Sequence, residues 1–428
     1  MIQIIDKQDC CGCGACVQSC PKQCISFIED EQGFVYPQVD ETLCVECGLC
    51  EKVCPILHQD KEKQPQKVYA AQNRNEEVRM TSSSGGVFTL LAEAVIKAGG
   101  VVFGAQFDKN WEVEHAYTET IEGLVAFRSS KYVQSRTGTT FIQVKQFLQA
   151  GRVVLYSGTS CQIAGLRHFL RKEYDNLLTI DVICHGVPSP LVWRTYLHQV
   201  LSRPKGVAGK NLVLSSLNDL PVITGISFRD KTKGWKKYGF VLSTKSASKA
   251  DKNMVLSSVK TNSYSVEWVH EVATKNYYMQ LFLKNLCLRP SCAKCPAKSG
   301  TCGSDISLAD YWGIWFHHPK WDDNKGTSLV LVNTSKGQKW FDQLSMVCKE
   351  TSYQEALAGN SAIEKSVAHH PLTDAFWQCF LQHDDAGIER LLKSTQPQGC
   401  EKWVMLFKDC VRWMIPQSFL NKLHSRSY

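Results

Sequence analysis

The chain has 428 residues, of which 43% are hydrophobic and 21% are charged, and its formal net charge is +8. This composition is close to ordinary globular usage and predicts about two to three domains. The sequence has no run of about 18 apolar residues and no basic, apolar leader, so we expect no integral membrane span, no secretory signal and a cytoplasmic location. In that setting the 20 cysteines indicate metal binding rather than disulfides.

Charge is unevenly distributed along the chain. Residues 1–60 contain three lysines and ten acidic residues, a net charge of −7, so residues 61–428 carry +15. An acidic head on a basic body favours docking between the two. The basic residues of the body are scattered rather than clustered, so we expect no nucleic-acid partner.

The head contains an internal duplication of cysteines. The pattern C-x2-C-x2-C-x3-C-P occurs twice, and the second copy begins 34 residues after the first. This pattern is typical of bacterial ferredoxins that hold two [4Fe–4S] clusters. The cysteines of the two copies are Cys10, Cys13, Cys16, Cys20, Cys44, Cys47, Cys50 and Cys54.

The spacing also predicts which cysteines share a cluster. Three thiolates on a tight loop reach three corners of a cubane, and the fourth ligand comes from the other copy of the motif. The first cluster therefore takes Cys54 in addition to its own loop, and the second cluster takes Cys20. A pair of zinc knuckles is the alternative, although zinc sites usually pair C-x2-C units across a longer spacer. Cys11 and Cys24 lie off the pattern, and we interpret them as buried thiols without a ligand role.

After a polar linker at residues 61–67, helix-like and strand-like runs alternate. This mixture predicts an α+β or α/β fold: a bacterial ferredoxin-like N-terminal module followed by a larger domain with a mixed sheet. The predicted elements are helix Val87–Lys97, strand Val101–Phe107, strand Arg152–Tyr156, turn Ser157–Cys161, helix Gln162–Arg171, strand Leu177–Ile183, helix Ser189–Ser202, strands Gly225–Phe228, Tyr238–Thr244, Ile306–Leu308 and Leu329–Asn333, and an amphipathic helix Trp403–Leu423.

A second set of cysteines lies in the body. Cys292 and Cys295 form C-x2-C, Cys161 lies on a turn before a predicted helix, and Cys184 ends a predicted strand. With Cys287, these make five cysteines, of which four could hold a third [4Fe–4S] cluster. The C-x2-C pair alone suits a structural zinc or a redox dithiol equally well.

Two loops have the composition of phosphate-binding sites. Ser82–Gly86 and Gly158–Ser160 each combine small or hydroxyl-bearing residues with the start of a predicted helix, where backbone N–H groups bind phosphate. Together they indicate a diphosphate-bearing cofactor such as FAD. No G-x-G-x-x-G follows a strand, so a Rossmann site is not predicted.

Four segments of the body carry a resemblance to a known family. Gly158–Arg167 is similar to the G-T-P-C-Q-x-x-x-L-[RK] segment of the coenzyme F420 hydrogenase/dehydrogenase beta-subunit family, and Ser84–Gly86, Ile180–Pro190 and Asp305–Gly313 resemble that family as well. With the ferredoxin-like head, the resemblance covers residues 1 to about 330.

The resemblance implies a flavoprotein with a further [4Fe–4S] cluster beside FAD. The cluster ligands would be Cys161, Cys184, Cys292 and Cys295. The flavin contacts would be Ser84, Gly85, Gly86, Lys131, Gly158, Thr159, Gln162 and Asp310. Two departures leave open whether coenzyme F420 is the substrate: Ser160 stands where the family often has proline, and Cys184-His185-Gly186 replaces a cysteine-plus-acidic pattern.

We therefore expect an oxidoreductase that passes electrons between [4Fe–4S] clusters, FAD and an organic substrate, which is coenzyme F420 or another small molecule. His185 and Lys131 are the candidate catalytic residues, as a proton donor and as a holder of anionic groups. The expected protein partner is a ferredoxin, a hydrogenase subunit or a dehydrogenase subunit. The alternatives are an electron-transfer adaptor without its own substrate and a cluster-bearing regulatory protein without flavin.

These features predict five segments along the chain. The resemblance divides the body into a part like the family's N-terminal domain and a part like its C-terminal domain, and a helical extension follows. In order, the segments are a ferredoxin domain at 1–60, a linker at 61–67, the N-terminal-like domain at 68–155, the C-terminal-like domain at 156–335 and the extension at 336–428.

Overall fold

A computed structural model describes residues 1–202, 221–245 and 265–396 of the chain. The predicted helix Trp403–Leu423 lies outside the described residues. None of the helices in these ranges has both the length and the apolarity needed to cross a lipid bilayer.

The head is a small α+β unit in which each copy of the cysteine motif supplies one short helix. Helix α1 (Ala15–Ser19) and helix α2 (Leu49–Lys52) each follow a glycine with positive φ, which is 83° at Gly14 and 69° at Gly48. Glycine adopts this conformation without strain, so the loop can turn sharply before the third cysteine of each copy. The two strands of the head pair antiparallel and are β1 (Ile25–Glu29) and β2 (Val35–Val39).

The body is built on an eight-stranded mixed sheet and a smaller three-stranded antiparallel sheet. In chain order the strands are β3 (Lys67–Asn73), β4 (Val101–Phe107), β5 (Val113–Thr118), β6 (Val154–Thr159), β7 (Leu177–Val182), β8 (Ile223–Asp230), β9 (Gly239–Lys245), β10 (Ser265–Val272), β11 (Ile306–Asp310), β12 (Ser328–Val332) and β13 (Met346–Thr351). The large sheet has the order β13-β3-β12-β11-β7-β6-β4-β5, and β8, β9 and β10 form the small one.

Four neighbouring strands in the large sheet, β11, β7, β6 and β4, run parallel. The flanking strands β12, β3, β13 and β5 pair antiparallel. The carboxyl ends of the four parallel strands therefore lie along one edge of the sheet. Such an edge is where α/β sheets usually bind ligands.

Helices cover both faces of the large sheet. Alternate residues of a strand point to opposite faces. Val101 and Phe103 pack in one apolar cluster with Phe141, whereas Val102 packs on the other face with Leu91. The helices of the body are α3 (Glu76–Thr81), α4 (Val87–Lys97), α5 (Leu124–Phe127), α6 (Thr140–Gln149), α7 (Ser160–Leu170), α8 (Pro190–Leu201), α9 (Tyr277–Leu283), α10 (Ile314–His317), α11 (Ser335–Asp342), α12 (Tyr353–Gly359), α13 (Thr373–Leu381) and α14 (Asp385–Ser394).

An aromatic core lies between α8, α9 and the small sheet. Trp193, Phe228, Phe240 and Tyr278 are almost fully buried, and the ring of Phe228 contacts those of the other three. Burying large aromatic side chains contributes strongly to stability. This core fixes β8, whose last residues enter the candidate cofactor site.

Three expectations differ from the structure. The predicted turn at Ser157–Cys161 is the end of β6 followed directly by α7, because Thr159 and Gln162 form a capping box that starts the helix at Ser160. The predicted boundary at 155/156 falls inside β6. Within the predicted helical extension, β13 forms an edge strand of the large sheet, and four of its six residues are exposed.

The head packs directly on the body through the first cysteine loop. A Cβ added to Gly165 in α7 would lie 2.8 Å from the sulfur of Cys13, so the helix approaches this cysteine as closely as a glycine permits. Thr137 Oγ1 donates a 3.0 Å hydrogen bond to the carbonyl of Cys13. Arg194 of α8 also forms ion pairs with Glu29 of the head and with Glu112 of the body. The loop of the first motif is thereby fixed against α7.

Candidate functional site

The first thiol group of the head consists of Cys10, Cys13, Cys16 and Cys54. These four side chains line one cavity, together with apolar residues such as Ile2, Ile4 and Phe27. Burial, followed by the charges of Cys10 and Cys54, raises the pKa of Cys16 to about 12. The structure thus brings Cys54, from the second copy of the motif, to the cysteines of the first copy.

The second thiol group consists of Cys20, Cys44, Cys47 and Cys50, which line a separate cavity. The backbone N–H of Ile2 donates to the sulfur of Cys50 at 3.4 Å. Cys20 comes from the first copy of the motif, so the exchange between copies is reciprocal. Across the described ranges, no three His, Cys, Asp or Glu side chains converge closely enough for a single metal ion. The thiols surround cavities instead.

The two off-pattern cysteines of the head lie beside these groups. Cys24 Sγ is 3.4 Å from Cys20 Sγ and lines the second cavity. Cys11 is buried, and its thiol contacts both Cys13 and Cys161. The hydrogen bond with Cys13 is the largest of the effects that raise the pKa of Cys11 well above the ordinary value. The burial of both thiols was expected from the sequence, but their position beside candidate ligands had no sequence signal.

The third thiol group consists of Cys161, Cys184, Cys292 and Cys295, and their sulfurs lie close enough to interact electrostatically with one another. Burial raises the pKa of Cys184 and is also the main cause that raises the pKa of Cys292 to about 12. Three chain segments that are far apart in sequence therefore supply one group, and the C-x2-C motif contributes two of its four thiols. The arrangement has the donor set of a cubane site, which is four cysteine thiols held close together.

Hydrogen-bond donors surround the third group. The backbone N–H of Val187 donates to the sulfur of Cys292 at 3.4 Å, and Thr159 Oγ1 lies 3.2 Å from the sulfur of Cys161. Lys298 Nζ donates to the carbonyl of Cys184 at 2.7 Å. N–H and O–H groups directed at ligand sulfur stabilise negative charge there and tune the potential of a cluster.

The structure also shows where Cys287 and Ser160 lie, two residues that the sequence analysis considered together with this group. Cys287 lies in the aromatic core, fully buried beside Tyr278, rather than among the four thiols. Ser160, which stands where the related family often has proline, donates a 2.6 Å hydrogen bond to the buried carboxylate of Asp181. That bond joins the start of α7 to the end of β7.

One half of the candidate flavin site lies at the carboxyl end of β6. Gln162 donates to Ser135 and accepts from the backbone N–H of Thr159. Gly158 lies against the imidazole of His115, whose Nε2 donates to the carbonyl of Ser157 at 3.0 Å. Burial lowers the pKa of His115 to about 4, and its Nδ1 is buried with no hydrogen-bond partner in the described structure. A neutral imidazole with a free acceptor fits a ligand that donates a hydrogen bond here.

The other half lies at the end of β11. Asp310 accepts hydrogen bonds from Arg229 at 3.0 Å and from the indole N–H of Trp235 at 2.8 Å. Arg229 also donates to the carbonyl of Ser83, and the carbonyl of Ser84 accepts from Lys231 Nζ at 2.9 Å. Burial is the main cause that lowers the pKa of Lys231 to about 7. Arg229 therefore joins the Ser82–Gly86 loop to β11, and Lys231 joins the same loop to the carbonyl of Lys325.

Sequence reasoning missed Arg229 and Lys231, although the pattern contains a usable signal. The two cations are two residues apart where β8 ends, and in the structure both donate to carbonyl groups of the Ser82–Gly86 loop. Gly85 has a packing role, because an added Cβ would lie 2.3 Å from the carbonyl of Ala71. Gly86 adopts a φ of 81° and begins α4. The predicted loop is thus folded as a tight turn in which the carbonyl groups of Ser83 and Ser84 accept hydrogen bonds from basic side chains.

Residues 129–135 connect the two halves. Ser130 bonds Ser83 through both its backbone N–H and its hydroxyl, and Ser135 accepts from Gln162. Lys131 lies between them and donates to the carbonyl groups of Arg128 and Ser129. Burial lowers the pKa of Lys131 to about 7. The cations Lys131, Arg229 and Lys231, with the unpartnered Nε of Arg229, fit a ligand that carries anionic groups.

His185 lies beside the third thiol group. Its Nε2 donates to Asn285 Oδ1 at 2.6 Å, and its ring contacts that of Phe282 edge-on. Burial is the main cause that lowers the pKa of His185, while the bond to Asn285 opposes that change. The imidazole is therefore oriented by Asn285, and its role as a proton donor stays a prediction.

Two families match the chain. Residues 9–56 match the family described as 4Fe-4S dicluster domain. Residues 151–355 match the family described as the C terminus of the coenzyme F420 hydrogenase/dehydrogenase beta subunit. The first match covers both cysteine copies of the head, and the second covers all four cysteines of the third group.

Individual proteins match parts of the chain. The coenzyme F420-dependent sulfite reductase of Methanocaldococcus jannaschii is 27% identical over 205 residues, which are 46% of this chain and 30% of that protein. The ferredoxin 7Fe of Hydrogenibacillus schlegelii is 38% identical over 64 residues, which are 14% of this chain and 76% of that protein. The chain thus spans less than a third of the length of the sulfite reductase.

A solved structure of the F420-reducing [NiFe] hydrogenase complex from Methanosarcina barkeri contains a chain with a TM-score of 0.41 and 14% sequence identity. The alignment covers 78% of this chain and 93% of that chain. The two family matches therefore show that the chain contains a 4Fe-4S dicluster ferredoxin domain at residues 9–56 and, at residues 151–355, a region of the family described as the C terminus of the coenzyme F420 hydrogenase/dehydrogenase beta subunit.

Proposed function

We propose that the chain is an iron–sulfur flavoprotein that transfers electrons between three [4Fe–4S] clusters and FAD and couples them to an organic substrate. The observation that carries this proposal is the continuity of the three thiol groups. Cys16 and Cys54 of the first group interact electrostatically with Cys50 of the second. The thiol of Cys11 touches both Cys13 of the first group and Cys161 of the third.

The third group in turn adjoins the candidate flavin site. Cys161 is the second residue of α7, and Thr159 and Gln162, which cap that helix, belong to the flavin candidates. When bound, the clusters would supply one-electron transfer and FAD would supply two-electron chemistry with an organic molecule. The protein residues donate hydrogen bonds to sulfur and offer Lys131 and Arg229 to anionic groups.

Anaerobic purification followed by substrate turnover tests this function. We expect about twelve irons, with matching sulfide, and one FAD per chain, as three cubanes and one flavin require. Reduced ferredoxin should then reduce the flavin and support turnover with coenzyme F420 or another small organic acceptor. Iron-loaded protein that binds no FAD, even when FAD is added, would contradict the flavoprotein assignment.

One observation also favours an adaptor role. Ile28, Leu43, Val45 and Leu57 of the head are more than half exposed, and Leu43 and Val45 flank Cys44 of the second thiol group. Exposed apolar side chains beside a redox centre suit the docking of a partner protein. Under this alternative, ferredoxin or a hydrogenase or dehydrogenase subunit docks on the head, and the chain has no substrate of its own. Normal flavin reduction without turnover of any small molecule would support it.

A lysine substitution tests the flavin site. We expect Lys131→Met to weaken FAD binding by roughly 10- to 100-fold, because a hydrogen bond to a charged group contributes about 1.5–3 kcal/mol. Isothermal titration of flavin-free protein with FAD measures this change. Lys97→Met is the control, since Lys97 is exposed and pairs with Glu93 on α4. Equal FAD affinity in the Lys131→Met variant and the wild type would contradict a role for this lysine.

The Lys131→Met variant also tests how the stability of the flavin-free protein depends on pH. The pKa of Lys131 is about 7 in the fold, against an ordinary value of 10.5. Between these values the unfolded chain binds more protons than the folded chain, so this group makes stability rise with pH from about 7 to 10.5. Thermal unfolding across this range should show a smaller rise in Lys131→Met than in the wild type. The melting temperature of the variant near pH 7 should equal or exceed that of the wild type.

A further inference from the structure

Arg289 is a buried cation with only neutral hydrogen-bond partners in the described residues. Its side chain is 1% exposed. Nε donates to the carbonyl of Cys10 at 2.7 Å, one terminal nitrogen donates to Gln134 Oε1 at 3.1 Å, and the other donates to the carbonyl of Val35 at 3.0 Å. The guanidinium also lies 4.4 Å from the ring centre of Tyr36. None of these groups carries negative charge.

The two other arginines that are buried in the described part of the chain have carboxylate partners. Arg79 pairs with Asp323 at 2.7 Å, and Arg229 pairs with Asp310 at 3.0 Å. A guanidinium stays charged at any physiological pH. Burying an ion without a counter-ion is strongly unfavourable. Because no carboxylate in the described ranges bonds Arg289, its burial is best explained by negative charge from another source.

Arg289 lies between the first and the third thiol groups. On one side it bonds the carbonyl of Cys10, which belongs to the first group. On the other side its own carbonyl accepts from the backbone N–H of Cys292 at 2.9 Å, and its charge acts on the sulfurs of Cys161 and Cys292. An added Cβ on Gly12 would lie 3.0 Å from a terminal nitrogen of Arg289, so the bare glycine lets the cation approach the first cysteine loop.

We propose that Arg289 is the shared counter-cation of the clusters held by the first and third thiol groups and that it raises the reduction potential of both. This inference rests on the proposed function, since it requires cubanes at both groups. A cluster that gains one electron from dithionite or a partner ferredoxin gains one unit of negative charge. A fixed positive charge beside it stabilises the reduced form more than the oxidised form. The hydrogen bonds of Arg289 within the described residues do not reach the second thiol group, which would not share this effect.

Three variants test the proposal by EPR-monitored redox titration of the intact, anaerobic chain. Arg289→Gln removes the charge. Gln134→Glu keeps the arginine and places a carboxylate on it, at the side chain that already accepts its hydrogen bond. Arg289→Lys keeps a positive charge but cannot make all three hydrogen bonds of the guanidinium, to Cys10, Gln134 and Val35. Arg194→Gln is the matched control, because Arg194 also joins head and body but through Glu29 and Glu112.

We expect Arg289→Gln and Gln134→Glu to lower the potentials of two of the three clusters. The ratio of reduced to oxidised cluster at a fixed potential should fall at least tenfold, which corresponds to about 59 mV for one electron. Arg289→Lys and Arg194→Gln should leave all three potentials near the wild-type values. If Arg289→Gln fails to assemble clusters, Gln134→Glu alone decides the question.

Unchanged potentials in Gln134→Glu with full iron content would overturn the inference, and so would an equal shift in Arg194→Gln. These outcomes differ from failure of the proposed function. If the reconstituted wild-type protein shows no EPR signals of [4Fe–4S] clusters, the proposed function itself is wrong. If the wild-type protein holds three clusters but their potentials do not change in the Arg289 and Gln134 variants, only this inference is wrong.

Discussion

We expect the Cys54→Ala variant to lose the cluster of the first cysteine copy, although Cys54 belongs to the second copy. The structure brings Cys54 to the cavity lined by Cys10, Cys13 and Cys16. A cubane needs four ligands, so the loss of one thiolate should remove about four irons per chain. Iron quantification and low-temperature EPR of anaerobically reconstituted protein measure the loss.

A double substitution shows which cluster is lost. If Cys10 and Cys54 serve the same cluster, Cys10→Ala/Cys54→Ala should lose no more iron than either single variant, because coupled sites are not additive. Cys44→Ala/Cys54→Ala should lose about eight irons, since it removes ligands of two clusters. Cys24→Ala is the control: its sulfur lies 3.4 Å from that of Cys20 but is not a predicted ligand. Loss of about eight irons in Cys10→Ala/Cys54→Ala would contradict the exchange between copies.

We expect Cys292→Ala to remove the third cluster while both head clusters and bound FAD remain. Cys292 lies within electrostatic reach of Cys161, Cys184 and Cys295, and Val187 donates to its sulfur. The variant should lose about four irons. Electron transfer from reduced ferredoxin to the flavin should slow sharply, because the third group separates the head from the flavin candidates. Stopped-flow absorbance under anaerobic conditions measures this rate.

Cys287→Ala is the matched control for this prediction. Cys287 lies five residues before Cys292 and is equally a cysteine of the body, but it packs in the aromatic core. We expect full iron content and a normal rate of flavin reduction, with a small loss of stability from the lost packing of one sulfur. Loss of the third cluster in Cys287→Ala, with its retention in Cys292→Ala, would show that the ligand set is wrong.

The features that could be predicted from the sequence are local or periodic ones. The duplication fixes the spacing of the head cysteines, and regular apolar patterns place helix α4 and strand β4 where the structure has them. Strand β13 was missed because it is an edge strand whose residues are mostly exposed, so alternation of apolar and polar residues is weak.

Features that depend on tertiary packing could not be predicted from the residues alone. Resemblance to the family, rather than spacing, selected Cys161 and Cys184 to join Cys292 and Cys295. Arg289 gave no sequence signal at all, because a lone arginine is usually a surface residue. Its burial between two thiol groups becomes visible only when the head is packed on α7 and the loop that carries Cys292.

Our central proposal is that the duplicated head cysteines and the third thiol group hold [4Fe–4S] clusters that transfer single electrons. Low-temperature EPR of the reduced, anaerobically reconstituted chain, combined with iron, sulfide and zinc analysis, tests it most directly. We expect signals of interacting reduced [4Fe–4S] clusters and about twelve irons per chain without zinc. A chain that holds zinc in place of iron and is EPR-silent after reduction would contradict it.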